Sequence, residues 1–276
     1  MISIQGRPPE EQGLRAIHAA LDSGATLIDT ADVYCLDDGD TGHNERLIAK
    51  AVKLWPGRKD QMVIATKGGM TRPAGQWHRK ADPAHLRQAC DRSLQALGVE
   101  RIDLYQLHAP DPNVPFIDSV DTLAELQREG KIRWVGLSNV SVREIEKARK
   151  MVEVVTVQNR LNPFFREALK REHLIGPSVV DHCAENGIGF LAYSPVGGGR
   201  LNKKLPGHPV LEPIARRHGA SAHAVAIAWV RAQGPTVIPI PAGRMPEHVR
   251  DAMGAGQIEL TPEEIELIDR ADFSRD

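Results

Sequence analysis

The 276-residue chain carries 35 lysines and arginines against 36 aspartates and glutamates, and a net charge of −1 gives no reason to expect nucleic acid or an anionic membrane as a partner. Apolar residues make up 41% and charged residues 26%, enough core and surface for one large α/β domain or two small ones. Three cysteines, Cys35, Cys90 and Cys183, form no CxxC pair, which argues against a disulfide framework or a structural zinc and for a reducing, cytoplasmic setting. The first residues lack the apolar core of a signal peptide, and the longest apolar run, 224–230, is too short to span a bilayer.

Taken in order, Pro9 opens a helix with Leu14, Ile17 and Leu21 on one face, stopped near Gly24. Residues 25–29 read as a strand. A loop rich in Gly and Asp, 36–43, leads to a helix carrying Leu47, Ile48 and Ala51, broken at Pro56-Gly57. A strand over 62–67 is followed by a long Gly/Pro/Arg loop, 68–81. Asp82-Pro83 is a cap with proline at the first helical position, and Gly98 ends that helix. Then come a strand over 102–108, a loop over 109–115 and a helix over 116–129. The strand at 132–137 closes on Ser138-Asn139, Ser141 caps a helix, and the strand at 154–157 closes on Gln158-Asn159. A helix over 177–185 precedes a strand over 188–192 that closes on Tyr193-Ser194-Pro195. Helical stretches at 210–218 and 221–233, a last strand at 236–240 and a capping box at Thr261-Pro262-Glu263-Glu264 complete the chain. Alternating strands and helices imply parallel βαβ units. Seven strands are clear where a closed barrel needs eight, and residues 1–5 are the candidate for the missing one.

Three successive strands end on ionisable groups: Asp29, with Tyr34 just beyond it, then Lys67, then His108. In a parallel barrel the strand C-termini meet at one face, where active sites are built. Taken singly, each residue has a plainer reading. Asp29 is a turn cap, Tyr34 a packed aromatic, Lys67 a solvated charge, His108 a structural histidine and Asn139 a helix cap; recurrence at successive strand ends favours function. Together, Asp29 would hold Lys67, whose ammonium would favour the Tyr34 phenolate, lowering a pKa that is ordinarily ~10. Tyr34 would then donate a proton to a carbonyl that His108 orients. No GxGxxG follows a strand, so a cofactor would have to lie across the barrel mouth. Ser138, Asn139 and Gln158 suit a carboxamide, Tyr193 suits a flat ring, and the loop at Gly197 and the turn at Gly243-Arg244 suit phosphates.

These motifs resemble the aldo-keto reductases from about Leu14 onward. Asp29-Thr30-Ala31-Asp32-Val33-Tyr34 is similar to the family's Asp-Thr-Ala-x-x-Tyr, and Asn44-Glu45, Lys67-Gly68, Leu107-His108, Gly136-Leu137-Ser138-Asn139, Val157-Gln158-Asn159 and Ala192-Tyr193-Ser194-Pro195 recur in family order. The resemblance implies a single (β/α)8 TIM-barrel domain over residues 1–276 that binds NADPH, with NADH possible, and reduces a small-molecule aldehyde or ketone. It implies Tyr34 as general acid tuned by Asp29 and Lys67, with His108 positioning the carbonyl. Ser138, Asn139 and Gln158 would hold the nicotinamide amide and Tyr193 would stack beneath its ring. Ser194, Pro195, Gly197, Arg200 and Leu201 would approach the pyrophosphate, and Gly243, Arg244, His248 and Asp251 the adenosine end; no metal is implied.

The sequence departs from the family pattern at three places. Cys35 replaces the usual glycine after the tyrosine. Ala242-Gly243 stands where many relatives have Lys-Ser, and His248 where they have arginine. The first strand and N-terminal hairpin read as truncated or missing. Two other functions fit the same residues: a non-catalytic, cofactor-binding regulatory subunit similar to the potassium-channel β subunits, and a lyase or aldolase using Lys67 as Schiff-base nucleophile, against which the pairing with Asp29 argues. Substrate choice is expected to reside in loops 68–81, 109–115 and 161–175, with Trp77 and Phe164 or Phe165 as candidate pocket walls.

Overall fold

The computed structural model describes residues 2–171 and 176–273. The chain divides into two compact units, residues 1–157 with 243–246, and residues 158–242 with 247–276. The first unit runs α1 (Glu10–Asp22), β1 (Leu27–Asp29), α2 (His43–Leu54), β2 (Val63–Gly68), β3 (Met70–Thr71), β4 (His78–Arg79), α3 (Pro83–Leu97), β5 (Ile102–Leu107), α4 (Phe116–Arg128), β6 (Ile132–Ser138) and α5 (Val142–Arg149). Strand β7 (Val154–Arg160) spans the division. The second unit continues with α6 (Val179–Glu185), β8 (Gly189–Tyr193), α7 (Gly198–Leu201), α8 (Leu211–Arg217), α9 (Ala222–Arg231), β9 (Val237–Ile240), α10 (Pro246–Gly254) and α11 (Pro262–Arg270).

The seven strands expected from sequence are those of the main sheet, in the order β1-β2-β5-β6-β7-β8-β9. The pairs β1–β2, β2–β5, β5–β6 and β8–β9 are parallel, as strand–helix alternation requires. Among described residues 2–5 there is no strand, only bends and a turn. That stretch is tied down by side chains instead: the buried Ser3 hydroxyl donates to Asn44 at 2.8 Å, and Asn44 donates to the Thr30 hydroxyl at 2.7 Å.

Helix ends follow their sequence signals. Asp82 accepts from the His85 N–H, with Pro83 at the first position, and Gly98 closes α3 at φ 67°, a left-handed conformation that glycine adopts without penalty. Ser141 and Glu144 form a reciprocal capping box on α5, as do Thr261 and Glu264 on α11. Ile17 and Leu21 of α1 bury against Leu47, Ile48 and Ala51 of α2. In the second unit Ala224, Ile227 and Ala228 of α9 pack with Ala255 and Ile258.

The β2–β5 register decides what the site receives. Lys67 lies opposite Gln106, and Thr66 opposite Tyr105. Side chains alternate along a strand, so Lys67 and Gln106 share one face while Thr66 and Tyr105 point to the other, where Thr66 donates to Glu45 of α2 at 2.6 Å.

Candidate active site

In the first unit, Asp29, Tyr34, Lys67 and His108 come together. Lys67, wholly buried, donates to the Asp29 carboxylate at 2.5 Å, to the Thr30 carbonyl at 2.8 Å and to the Tyr34 hydroxyl at 3.1 Å. Gln106 donates to the other Asp29 oxygen at 3.0 Å. Burial pulls the Lys67 pKa down, but the charges of Asp29 and Tyr34 outweigh it and leave the ammonium above its ordinary value. The His108 ring stands edge-on to Tyr34, centroids 5.8 Å apart, and Trp77 packs edge-on to both at 6.4 and 6.3 Å. Burial first, and the Lys67 charge second, hold His108 well below its ordinary pKa, so it is a neutral imidazole. Its buried Nδ1 has no hydrogen-bond partner among the described residues.

Asn139, at φ 59°, donates to the His108 carbonyl at 3.0 Å and to the Ser138 hydroxyl at 3.1 Å, so β6 ends beside β5 with a hydroxyl and a carboxamide presented together. The guanidinium of Arg244 donates to the carbonyls of Gly6 at 2.6 Å and Gln5 at 2.8 Å, next to Gly243 in the same unit.

The second unit carries the rest. Gln158 is buried near the end of β7. Tyr193 ends β8, half-buried; burial raises its pKa while the Arg160 charge lowers it. Ser194 takes the left-handed conformation at φ 52°, and its carbonyl accepts from Asn162 at 2.9 Å; Pro195 follows it. Gly197, at φ 83°, is required twice over: a Cβ there would also lie 2.7 Å from Leu201 and 2.9 Å from Phe164. Gly198 is left-handed too, and the space above Gly199 is open. Arg200, Leu201 and Lys204 line a cavity of about 490 Å³ with Phe164, Phe165 and Phe273. His248 is exposed on α10, and Asp251 accepts from the Ser221 hydroxyl at 2.6 Å. Of the expected specificity loop 161–175, positions 172–175 lie outside the described residues.

A family-wide sequence pattern described as the Aldo/keto reductase family matches residues 2–272. The chain belongs to the aldo/keto reductase family. It is 35% identical over 251 residues to an uncharacterized oxidoreductase of Schizosaccharomyces pombe, spanning 91% of this chain and 76% of that one. The glycerol dehydrogenase AKR11B4 of Gluconobacter oxydans superposes with a TM-score of 0.81 at 30% identity, over 95% of this chain and 85% of that one. An aldo-keto reductase of Klebsiella pneumoniae solved in complex with NADPH superposes at 0.77 with 26% identity, over 95% and 84%. The (β/α)8 class of this aldo/keto reductase is thus established, with seven strands in its described main sheet.

Several residues escaped the sequence reading. Gln106 sits inside an apolar strand and is selected by its register with Lys67, which no local pattern reveals. Arg72 is buried in a loop that reads as Gly/Pro/Arg-rich and solvated. Asp32, inside the family motif, is buried with one oxygen unpartnered, and burial, then the neighbouring Glu45, drive its carboxyl well above the usual range.

Proposed function

We propose that this aldo/keto reductase reduces a small aldehyde or ketone to the alcohol with NADPH, with Tyr34 as the general acid. The observation that carries the reading is the 3.1 Å hydrogen bond from a fully buried, Asp29-paired ammonium to the Tyr34 hydroxyl. The nicotinamide, when bound, supplies the hydride to the carbonyl carbon. Tyr34 gives its proton to the carbonyl oxygen as that oxygen gains charge, and Lys67 stabilises the phenolate left behind. Neutral His108 directs a ring N–H at the same oxygen, aligning the carbonyl without adding charge.

The donor chemistry fits a nicotinamide dinucleotide. Ser138, Asn139 and Gln158 are assigned to the carboxamide and Tyr193 to the ring. Two consecutive left-handed glycines, Gly197 and Gly198, with Arg200 nearby, suit the pyrophosphate. We assign Ser194, Pro195 and Leu201 to that contact, and Gly243, Arg244, His248 and Asp251 to the adenosine end. We read residues 1–276 as one functional domain acting in the cytoplasm, supported by three cysteines that are buried and form no CxxC pair. Among the described residues no helix is long and apolar enough to cross a membrane. The Schiff-base reading is disfavoured because Asp29 keeps Lys67 charged.

The test is loss of nicotinamide absorbance with an aldehyde panel. Tyr34→Phe is expected to lower the rate ~10²–10⁴-fold, as for a general acid, while keeping cofactor affinity. An unchanged rate would refute the role.

A further inference from the structure

Among residues 72–77, the tip of the β3–β4 hairpin, Arg72 alone is buried, at 1% exposure. Its Nη2 donates to Gln5 at 3.2 Å, but Nε and Nη1, both shut from solvent, have no partner among the described residues. The facing loop's acids are engaged elsewhere. Asp38 accepts the backbone N–H of Arg72 at 2.6 Å, and Asp40 takes Arg7 at 2.6 Å. A buried guanidinium with open donors is costly unless an anion completes it. What covers it is Trp77, whose ring lies 3.9 Å from the guanidinium carbon and is itself 44% exposed. The same indole borders the site, with its ring centroid 6.4 Å from that of Tyr34 and 6.3 Å from that of His108. One exposed side chain therefore touches both a cation with two open donors and the proposed proton donor.

We propose that Arg72 is a specificity residue: with Trp77 swung aside, its free Nε and Nη1 donors take an anionic group on the substrate. The preferred substrates are then short aldehydes or ketones bearing a carboxylate or phosphate a few bonds from the carbonyl. The inference rests on Tyr34 serving carbonyl reduction. It adds that an uncharged carbonyl leaves the two donors unmet, and so loses transition-state binding that an anionic one gains.

The test compares matched pairs, 4-oxobutanoate against its methyl ester and glyceraldehyde 3-phosphate against glyceraldehyde. The readout is the ratio of kcat/KM within each pair, for wild type, Arg72→Met and Arg72→Lys. The wild-type ratio is expected to favour one anionic partner by at least ~10-fold, the size of one charge-assisted hydrogen bond. It should fall to about one in Arg72→Met and lie between in Arg72→Lys. The pair with the larger ratio tells carboxylate from phosphate. A wild-type ratio near one, or a preference that survives Arg72→Met, overturns the proposal. Calorimetric titration with succinate and with inorganic phosphate decides independently of turnover. Saturable binding that is lost in Arg72→Met and tightened in Trp77→Ala supports it; no binding to wild type, or equal binding to the folded variants, overturns it. If wild type reduces no carbonyl at all, the Tyr34 reading fails, and the titrations still decide Arg72.

Discussion

Lys67 is the residue on which the other side chains of the site depend, because one buried ammonium is shared by a carboxylate, a backbone carbonyl and a phenol. Lys67→Met would leave Asp29 buried without its counter-ion. Denaturant unfolding is expected to show a loss of about 3–5 kcal/mol, the usual cost of breaking a buried pair, together with loss of reduction. His108 gives a pH signature. Its folded pKa lies below the unfolded value, so its contribution to stability is present above about pH 6.5 and is lost as acid protonates the ring. Nitrogen NMR should find this ring neutral at pH 6, and His108→Gln should flatten the loss of stability on acidification. Asp29, Tyr34, Lys67 and His108 were legible in the sequence because each stands at or just past the end of an apolar run. Gln106 was not, since only pairing with a neighbouring strand gives it a role. Arg72 was not, since nothing local distinguishes a buried arginine from a solvated one.

At the scale of elements, one residue of α11 acts in two capacities. Glu264 completes the capping box with Thr261 and pairs with Arg217 at 2.9 Å and His218 at 2.9 Å. Burial pushes its carboxyl up, but His218, the Thr261 N–H and Arg217 outweigh that and leave it below the usual range. Its stabilising effect is therefore present above the unfolded carboxylate value, about pH 4.3, and is lost on acidification. Glu264→Gln should lower the thermal midpoint at pH 7 and make the melting temperature less sensitive to acid below pH 5. Caps, proline stops and apolar runs made these helices and the seven sheet strands readable. The β3–β4 hairpin was not, because strands of two residues carry no periodicity and Arg72-Pro73-Ala74-Gly75 between them reads as loop. Helix α10 was hidden behind its resemblance to a cofactor-gripping segment, although Pro246 followed by Glu247 is a helix-start signal.

For the molecule as a whole, cofactor affinity is the decisive quantity. NADPH at a hundred times its Kd should stabilise the fold by ~2.7 kcal/mol, a rise of several degrees in Tm. NADH at the same concentration should do less if Arg244 meets a 2′-phosphate. That arginine already holds the carbonyls of Gln5 and Gly6, and its segment, Gly243–Pro246, belongs to a unit otherwise built from residues 1–157. The earlier unit is thus finished by a piece that a ribosome makes only after residues 158–242 of the second unit. At ordinary elongation rates, roughly 10–50 s separate synthesis of Gly6 from that of Arg244. Throughout that interval the carbonyls of Gln5 and Gly6 lack their Arg244 donors, and the N-terminal turn depends on nearer partners such as Asn44, Asp40 and Arg72.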